Sequence, residues 1–183
     1  MGERGTVKSL LHIMSKVYFA GDLHFAHKNI AGFRPIMAGI EIHNEEEHRE
    51  LIIQRFNKIV TKRDTLYLMG DICFDEDYTV HIGRLNGYKK LILGNHDHTN
   101  MQVWMQYVAK IGAVDKYKKH WISHTPIHPA ELRGKNNIHG HVHNATIEDA
   151  RYFNCSLENI NFEPIEFSVL LEREEKQKEM WKT

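Results

Sequence analysis

Acidic, amide and imidazole side chains occur in this sequence in five short clusters, each placed directly after an apolar run and a small residue. Val17-Tyr18-Phe19-Ala20-Gly21 leads into Asp22-Leu23-His24, and Leu66-Tyr67-Leu68-Met69-Gly70 leads into Asp71. Lys90-Leu91-Ile92-Leu93-Gly94 leads into Asn95-His96-Asp97-His98, Trp121-Ile122-Ser123 into His124, and Asn137-Ile138-His139-Gly140 into His141-Val142-His143. A single Asp after a strand is usually a turn or a helix cap. Five such endings read instead as strand ends converging on one metal site. A dinuclear centre that cleaves phosphate esters needs two dications about 3.5–4 Å apart, mixed oxygen and nitrogen ligands, and open positions for water and substrate. At least one carboxylate should be shared, because one anion between two cations offsets their repulsion. Asp22, His24, Asp71, Asn95, His124, His141 and His143 supply that set. Asn95, a neutral carbonyl ligand, leaves the site cationic and attractive to phosphate. His96 and Asp97 stand beside it without needing to be ligands, and an imidazole is a natural proton donor to a departing alkoxide.

The elements that must carry these residues follow from pattern. Short apolar runs bounded by glycine read as buried strands, at 16–20, 65–69 and 90–93. Between them, Asn44 before three glutamates has the form of a helix N-cap with acidic residues in the first turn. Leu51, Ile52, Phe56, Ile59 and Val60 then recur at helical spacing, so 44–61 is expected to be an amphipathic helix. Further helices are expected at 75–85 and 100–111. The order β-α-β-α-β-α argues for parallel strands with crossover helices. The second half reads as short strands at 114–117, 120–123, 137–139, 152–156 and 165–171, hence a second sheet, mixed or antiparallel, packed on the first. The expected organisation is an N-terminal extension at 1–15, one domain at 16–171, and a Glu/Lys-rich tail or helix at 172–183.

Composition narrows the classes. A chain of 183 residues is long enough for one domain with a sizeable core. Lys+Arg and Asp+Glu balance at 24 each, so no global field favours a long nucleic-acid duplex or a membrane surface. No run approaches the roughly 18 apolar residues of a membrane span. The two cysteines, Cys73 and Cys155, are too few for a disulfide framework and read as buried, reduced thiols in a cytoplasmic protein. Histidine is the outlier at 14 residues, and it is the commonest metal ligand.

Taken together, Asp22-Leu23-His24, Gly70-Asp71, Gly94-Asn95-His96-Asp97, His124 and Gly140-His141-Val142-His143 resemble the ordered motif set of the calcineurin-like metallophosphoesterase superfamily, in its small single-domain members. The resemblance implies an α/β fold in which two mixed sheets pack as a sandwich flanked by helices. It implies one metal held by Asp22, His24 and His143, a second by Asn95, His124 and His141, and Asp71 bridging them. Hydrolysis of phosphodiesters of modest size, nucleotide-like or short nucleic-acid ends, would proceed by attack of a metal-bridging hydroxide. His96 would serve the leaving oxygen, oriented by a carboxylate such as Asp97 or Asp22. Mixed N/O ligands suit Mn first, with Fe, Zn, Ni or Co as alternatives.

Two residues of the 25–43 segment are candidates for substrate contact. His27 reads as substrate-facing or as an ordinary histidine, and Arg34 as a phosphate clamp or as a solvated arginine. A phosphomonoesterase and a non-catalytic metal-binding scaffold are the competing functions. Zincins are excluded, since no His-Glu-x-x-His is present. A metallo-β-lactamase pattern would need an acid where His143 stands.

Overall fold

The structure, a computed structural model, describes residues 15–180. It is an α/β fold with two principal sheets. The first contains strands β1 (Val17–Ala20), β4 (Thr65–Leu68), β5 (Tyr88–Ile92), β6 (Lys110–Gly112) and β11 (Ile165–Glu166), in the order β11-β1-β4-β5-β6. β1, β4, β5 and β6 run parallel, and only β11 is antiparallel. The second contains β7 (Val114–Tyr117), β8 (His120–Ser123), β9 (Asn136–His139) and β10 (Tyr152–Asn154), in the order β10-β9-β8-β7. It is mixed: β7 meets β8 antiparallel, while β8, β9 and β10 are parallel. A two-stranded ribbon, β2 (Ile36–Met37) and β3 (Ile40–Glu41), lies in the 25–43 segment, outside the elements expected from pattern.

The sheets meet through aromatic rings. Phe19 stacks on Tyr67 at 5.1 Å, and both rings lie 6.3 Å from Tyr117 of the other sheet. The Tyr67 hydroxyl donates to Asp115 across the same interface (3.1 Å). Helix α1 (Ile30–Phe33) is a single turn, whereas α2 (Glu45–Ile59) carries Ile52, Ile53 and Phe56 into the core. Asn44 caps α2 as its sequence implies, accepting from Glu47 N at 2.9 Å.

Three expected elements differ. The 75–85 segment is a 3₁₀ helix, Glu76–Arg84, because its buried residues, Thr79 and Ile82, are spaced at the i,i+3 interval that a 3₁₀ helix aligns. The helix expected over 100–111 lasts only one turn, α3 (Met101–Trp104), after which the chain joins the first sheet as β6. Its apolar positions fit either element, but the open edge of β5 offers backbone partners, including Leu93 N to Gly112 O (2.9 Å). The strand expected at 165–171 pairs for two residues and becomes helix α4 (Phe167–Met180). Phe167, Leu170 and Glu174 are buried at helical spacing, and the Glu- and Lys-rich continuation favours helix. Residues 1–14, almost all of the expected extension, lie outside the described residues. Among the described residues no helix is long and apolar enough to cross a membrane.

Cys73 and Cys155 are both fully buried, and burial pushes each thiol up to about 12. Thiolate is the reactive form, so neither should react with a thiol reagent in the native protein at neutral pH, and both should react after unfolding. A colorimetric thiol count in buffer and in denaturant checks this; a native count above zero contradicts the packing described.

Candidate metal centre

Parallel strands deliver their C-terminal ends to one edge, where open α/β sheets place ligands. Ala20, Leu68 and Leu91 are in register across β1, β4 and β5, so the loops starting at Gly21, Met69 and Leu93 lie side by side. β8 and β9, parallel in the second sheet, bring His124 and His141 toward the same place. The loops are tied by backbone hydrogen bonds of 2.9 Å: Asp22 N to Gly70 O, His24 N to Asp71 O, and Phe25 N to Ile72 O.

This framework holds an unusual run of left-handed backbone. Asp22 (φ 60°), His24 (56°), Asp71 (51°), His141 (72°) and His143 (47°) are all in a region that L-residues with a Cβ enter at a cost on the order of 1 kcal/mol each. Such strain persists where surrounding contacts over-determine it, and it gathers at functional sites. Three glycines permit the closest approaches, among them Gly70, where a Cβ would sit against the His124 ring. A Cβ on Gly94 would collide with the backbone N and carboxylate of Asp71, and one on Gly140 would sit 2.5 Å from Asp22 Oδ2.

Ligand-type atoms form two groups. In the first, Asp22, His24 and His143 each present one atom within 4.8 Å of the others, with His24 Nε2 at 3.8 Å and His143 Nε2 at 3.9 Å from Asp22 Oδ1. In the second, Asp71, His124 and His141 do the same. His124 Nε2 lies 3.4 Å from Asp71 Oδ1, 3.1 Å from His141 Nδ1 and 3.1 Å from Asn95 Oδ1. Six of the seven residues singled out in the sequence form these groups, and the seventh, Asn95, touches the second through His124.

The donor set fits a cation. His124 Nδ1 faces the carbonyl of Met69 at 2.9 Å, and a carbonyl only accepts, so Nδ1 carries the proton and Nε2 presents a lone pair. That lone pair points at a carboxylate, an amide oxygen and a second imidazole. His143 Nδ1 donates to Glu158 Oε1 (3.1 Å), which likewise turns its Nε2 lone pair toward Asp22. Carboxylates and carbonyls that fix the far nitrogen of an imidazole are a recurrent feature behind metal ligands. His24 Nε2 is buried without a hydrogen-bond partner. A divalent cation in each group would satisfy these acceptors.

Local electrostatics follow the same arrangement. Burial lowers the His24 pKa, with Asp22 opposing. Burial alone would raise Asp71, but the His124 ring and the His96 N–H bring its carboxyl below the usual range. Burial acts against protonation of His124, yet the Asp71 carboxylate raises it. Glu158 raises His143. Despite burial, Glu158 itself is lowered to about 2 by His143 and Arg34.

The remaining candidates divide. His96 is exposed beside the first group, its ring centroid 6.5 Å from His24 and 5.0 Å from Phe74, while its backbone N–H donates to Asp71 Oδ1 at 2.9 Å. Asp97 does not orient it. The Asp97 carboxylate is turned inward, accepting from Ile72 N (2.7 Å), Cys73 N (3.0 Å) and Gly94 N (2.8 Å). It therefore clasps the loop after β4 to the loop after β5. His27 is half-buried beside the first group, its ring 6.0 Å from His24. Arg34 is neither solvated nor free to clamp a phosphate. It is 4% exposed, donates to Glu158 Oε1 from Nε (2.8 Å) and Nη2 (2.7 Å), and also donates from Nη2 to Asp22 O (2.8 Å). Sequence reading missed Glu158, Phe74 and His48. Of these, His48 Nε2 accepts from Arg34 Nη1 at 3.2 Å, and burial together with Arg34 lowers its pKa to about 2. No motif announces the three; only the acidic residue opposite a ligand histidine could have been sought.

No family model matches the chain. Its relatives include the uncharacterized protein MJ1445 of Methanocaldococcus jannaschii, 27% identical over 180 residues, spanning 90% of this chain and 94% of that one. Another is the Gene 66 protein of Mycobacterium phage L5, 28% identical over 171 residues, or 73% of this chain and 80% of that one. Among solved structures, the protein of unknown function AQ665 from Aquifex aeolicus matches with a TM-score of 0.68 and 24% identity, covering 87% of this chain and 99% of that chain. That likeness concerns the fold.

The different settings of two adjacent residues give a test. Asp97→Ala strands three buried N–H groups and should destabilise the protein by about 3 kcal/mol or more. His96→Ala, on the exposed side of the same loop, should stay within about 0.5 kcal/mol of the parent. Urea unfolding of both variants checks this, and an Asp97→Ala protein as stable as the parent overturns the clasp.

Proposed function

We propose that the two groups hold two divalent cations and that the protein hydrolyses phosphoesters, as do the calcineurin-like metallophosphoesterases its motifs resemble. The observation that carries this reading is the convergence of seven acceptor side chains from five separate strand ends into two adjacent groups. Asp22, His24 and His143 would hold one cation, and Asn95, His124 and His141 the other, with Asp71 between them. Bound there, divalent cations supply Lewis acidity and an activated water for attack on phosphorus. The protein's own part in catalysis falls to His96. Exposed, and set against the Phe74 ring, its imidazole can deliver a proton to the leaving oxygen.

A diester is the better substrate on this reading. A phosphate dianion calls for added cationic clamps, and Arg34 is already committed to Glu158 and Asp22 O. A diester carries one negative charge and needs a proton donor for a poor alkoxide leaving group. His96 supplies that donor.

Stripping the protein with chelator should abolish hydrolysis of an aryl phosphodiester, and Mn²⁺ should restore it. His96→Ala should keep its metal and lose roughly 10²–10⁴-fold in kcat, whereas Asp71→Asn should lose metal and rate together. Activity indifferent to chelator, in protein without bound metal by elemental analysis, would falsify the assignment. Separately, kcat/KM should favour the diester over the matching monoester; a tenfold preference for the monoester, about 1.4 kcal/mol in barrier, makes the protein a phosphatase instead.

A further inference from the structure

Of the three ligand residues in the first group, His143 has the least support from regular structure. Asp22 and His24 follow β1, and their side chains are 0% and 11% exposed, whereas the His143 side chain is 39% exposed. Its backbone is left-handed (φ 47°), and β10 begins only at Tyr152. An imidazole in that position has two freedoms that spoil a ligand. Its ring can turn about a soft terminal torsion, and its proton can sit on either nitrogen.

Both freedoms are restrained from one short stretch downstream. Asn154 Nδ2 (2.7 Å) and Asn159 Nδ2 donate to the His143 carbonyl, and Glu158 Oε1 accepts from its Nδ1 (3.1 Å). The stretch is itself firm. Asn154 Oδ1 accepts from Ser156 N (3.0 Å) and Ser156 Oγ (2.8 Å). The 3₁₀ turn that carries Glu158 and Asn159, Leu157–Ile160, is buried at both ends. Glu158 has a second effect, because it balances Arg34, whose Nη2 stands 2.8 Å from the carbonyl oxygen of Asp22. Without that carboxylate, an uncompensated guanidinium beside Asp22 would oppose a cation in the first group. The second group has other supports: His124 is set by Met69 O, and Asp71 by the His96 N–H.

We infer that Glu158, aided by Asn154 and Asn159, positions His143 and thereby determines whether the centre holds one divalent cation or two. The inference rests on the dinuclear reading above, but it concerns residues outside the ligand motifs. The test is a Mn²⁺ titration of metal-free protein, followed by calorimetry and by the EPR signal of a spin-coupled Mn²⁺ pair. The parent should bind two cations and give the pair signal. Loss of a group that orients a ligand imidazole typically costs 10–100-fold in metal affinity. Glu158→Gln, which keeps the shape and one acceptor oxygen, should therefore bind one cation as the parent does and the other about 10–100-fold more weakly. Its pair signal should fall accordingly, and His143→Ala should give the same pattern. Asn159 is exposed, so Asn159→Ala should fold, and it should weaken the same cation several-fold. A Glu158→Gln protein that binds both cations as the parent does, or both more weakly to the same degree, overturns the inference. If that variant does not fold, Asn159→Ala decides, and unchanged binding of both cations overturns it. A parent that binds no Mn²⁺ overturns the dinuclear reading beneath it, whereas two cations in the parent and in every Glu158 and Asn159 variant leave that reading standing.

Discussion

Seven hydrogen-bond acceptors brought within a few ångströms of one another repel, and the protein has to hold them there. It does so with a layer of donors on the outside of the cluster. Asp22 accepts the His141 N–H at 2.9 Å, Asp71 accepts the His96 N–H, and His124 is turned by Met69 O. The donors are mainly backbone groups of neighbouring loops, so each ligand carboxylate also pins the loop that carries the next ligand. Asp22 on the first sheet is thus fastened to His141 on the second. The same loops bear the left-handed residues, whose strain is confined by those bonds.

A second tie closes the site from the helical side. Arg34 reaches from just past α1 to Glu158, and through it to His143, while also gripping the backbone of Asp22. One guanidinium therefore braces two members of the first group. Its fork geometry suits this task, whereas an ammonium would satisfy fewer of the partners. Asp97 performs the corresponding service for the second group. Although burial raises its pKa, three backbone N–H groups hold its carboxylate in place. The two groups thus share an edge but have separate supports.

Exposed His96 and half-buried Phe74 lie beside the first group, and Phe74 also meets His27, which with Ile30, Phe33, His143 and Glu158 lines an adjoining pocket. Elements that carry the two groups are short, parallel and buried. Much of the pocket is lined by the irregular segment 25–43, as binding surfaces carried on a rigid scaffold tend to be.

The strand-then-turn pattern was legible from residues alone because its causes are local. Apolar runs make β1, β4 and β8, small residues permit the turns, and Asp22, His24, Asp71, Asn95, His124, His141 and His143 sit where those turns place them. The mixed second sheet and the cap of α2 were legible for the same reason. Where local pattern allowed two outcomes, as for residues 110–112 and 167–171, the choice was made by an open strand edge or by burial on one helical face. The sequence by itself thus determined which side chains gather. Only the tertiary structure decided what holds them: that Arg34 is buried against Glu158, 124 residues away, that Asp97 turns from His96 to the backbone, and that Phe33 opens a pocket beside His24. Such contacts join segments far apart in the chain, and they leave neither a period nor a spacing in it.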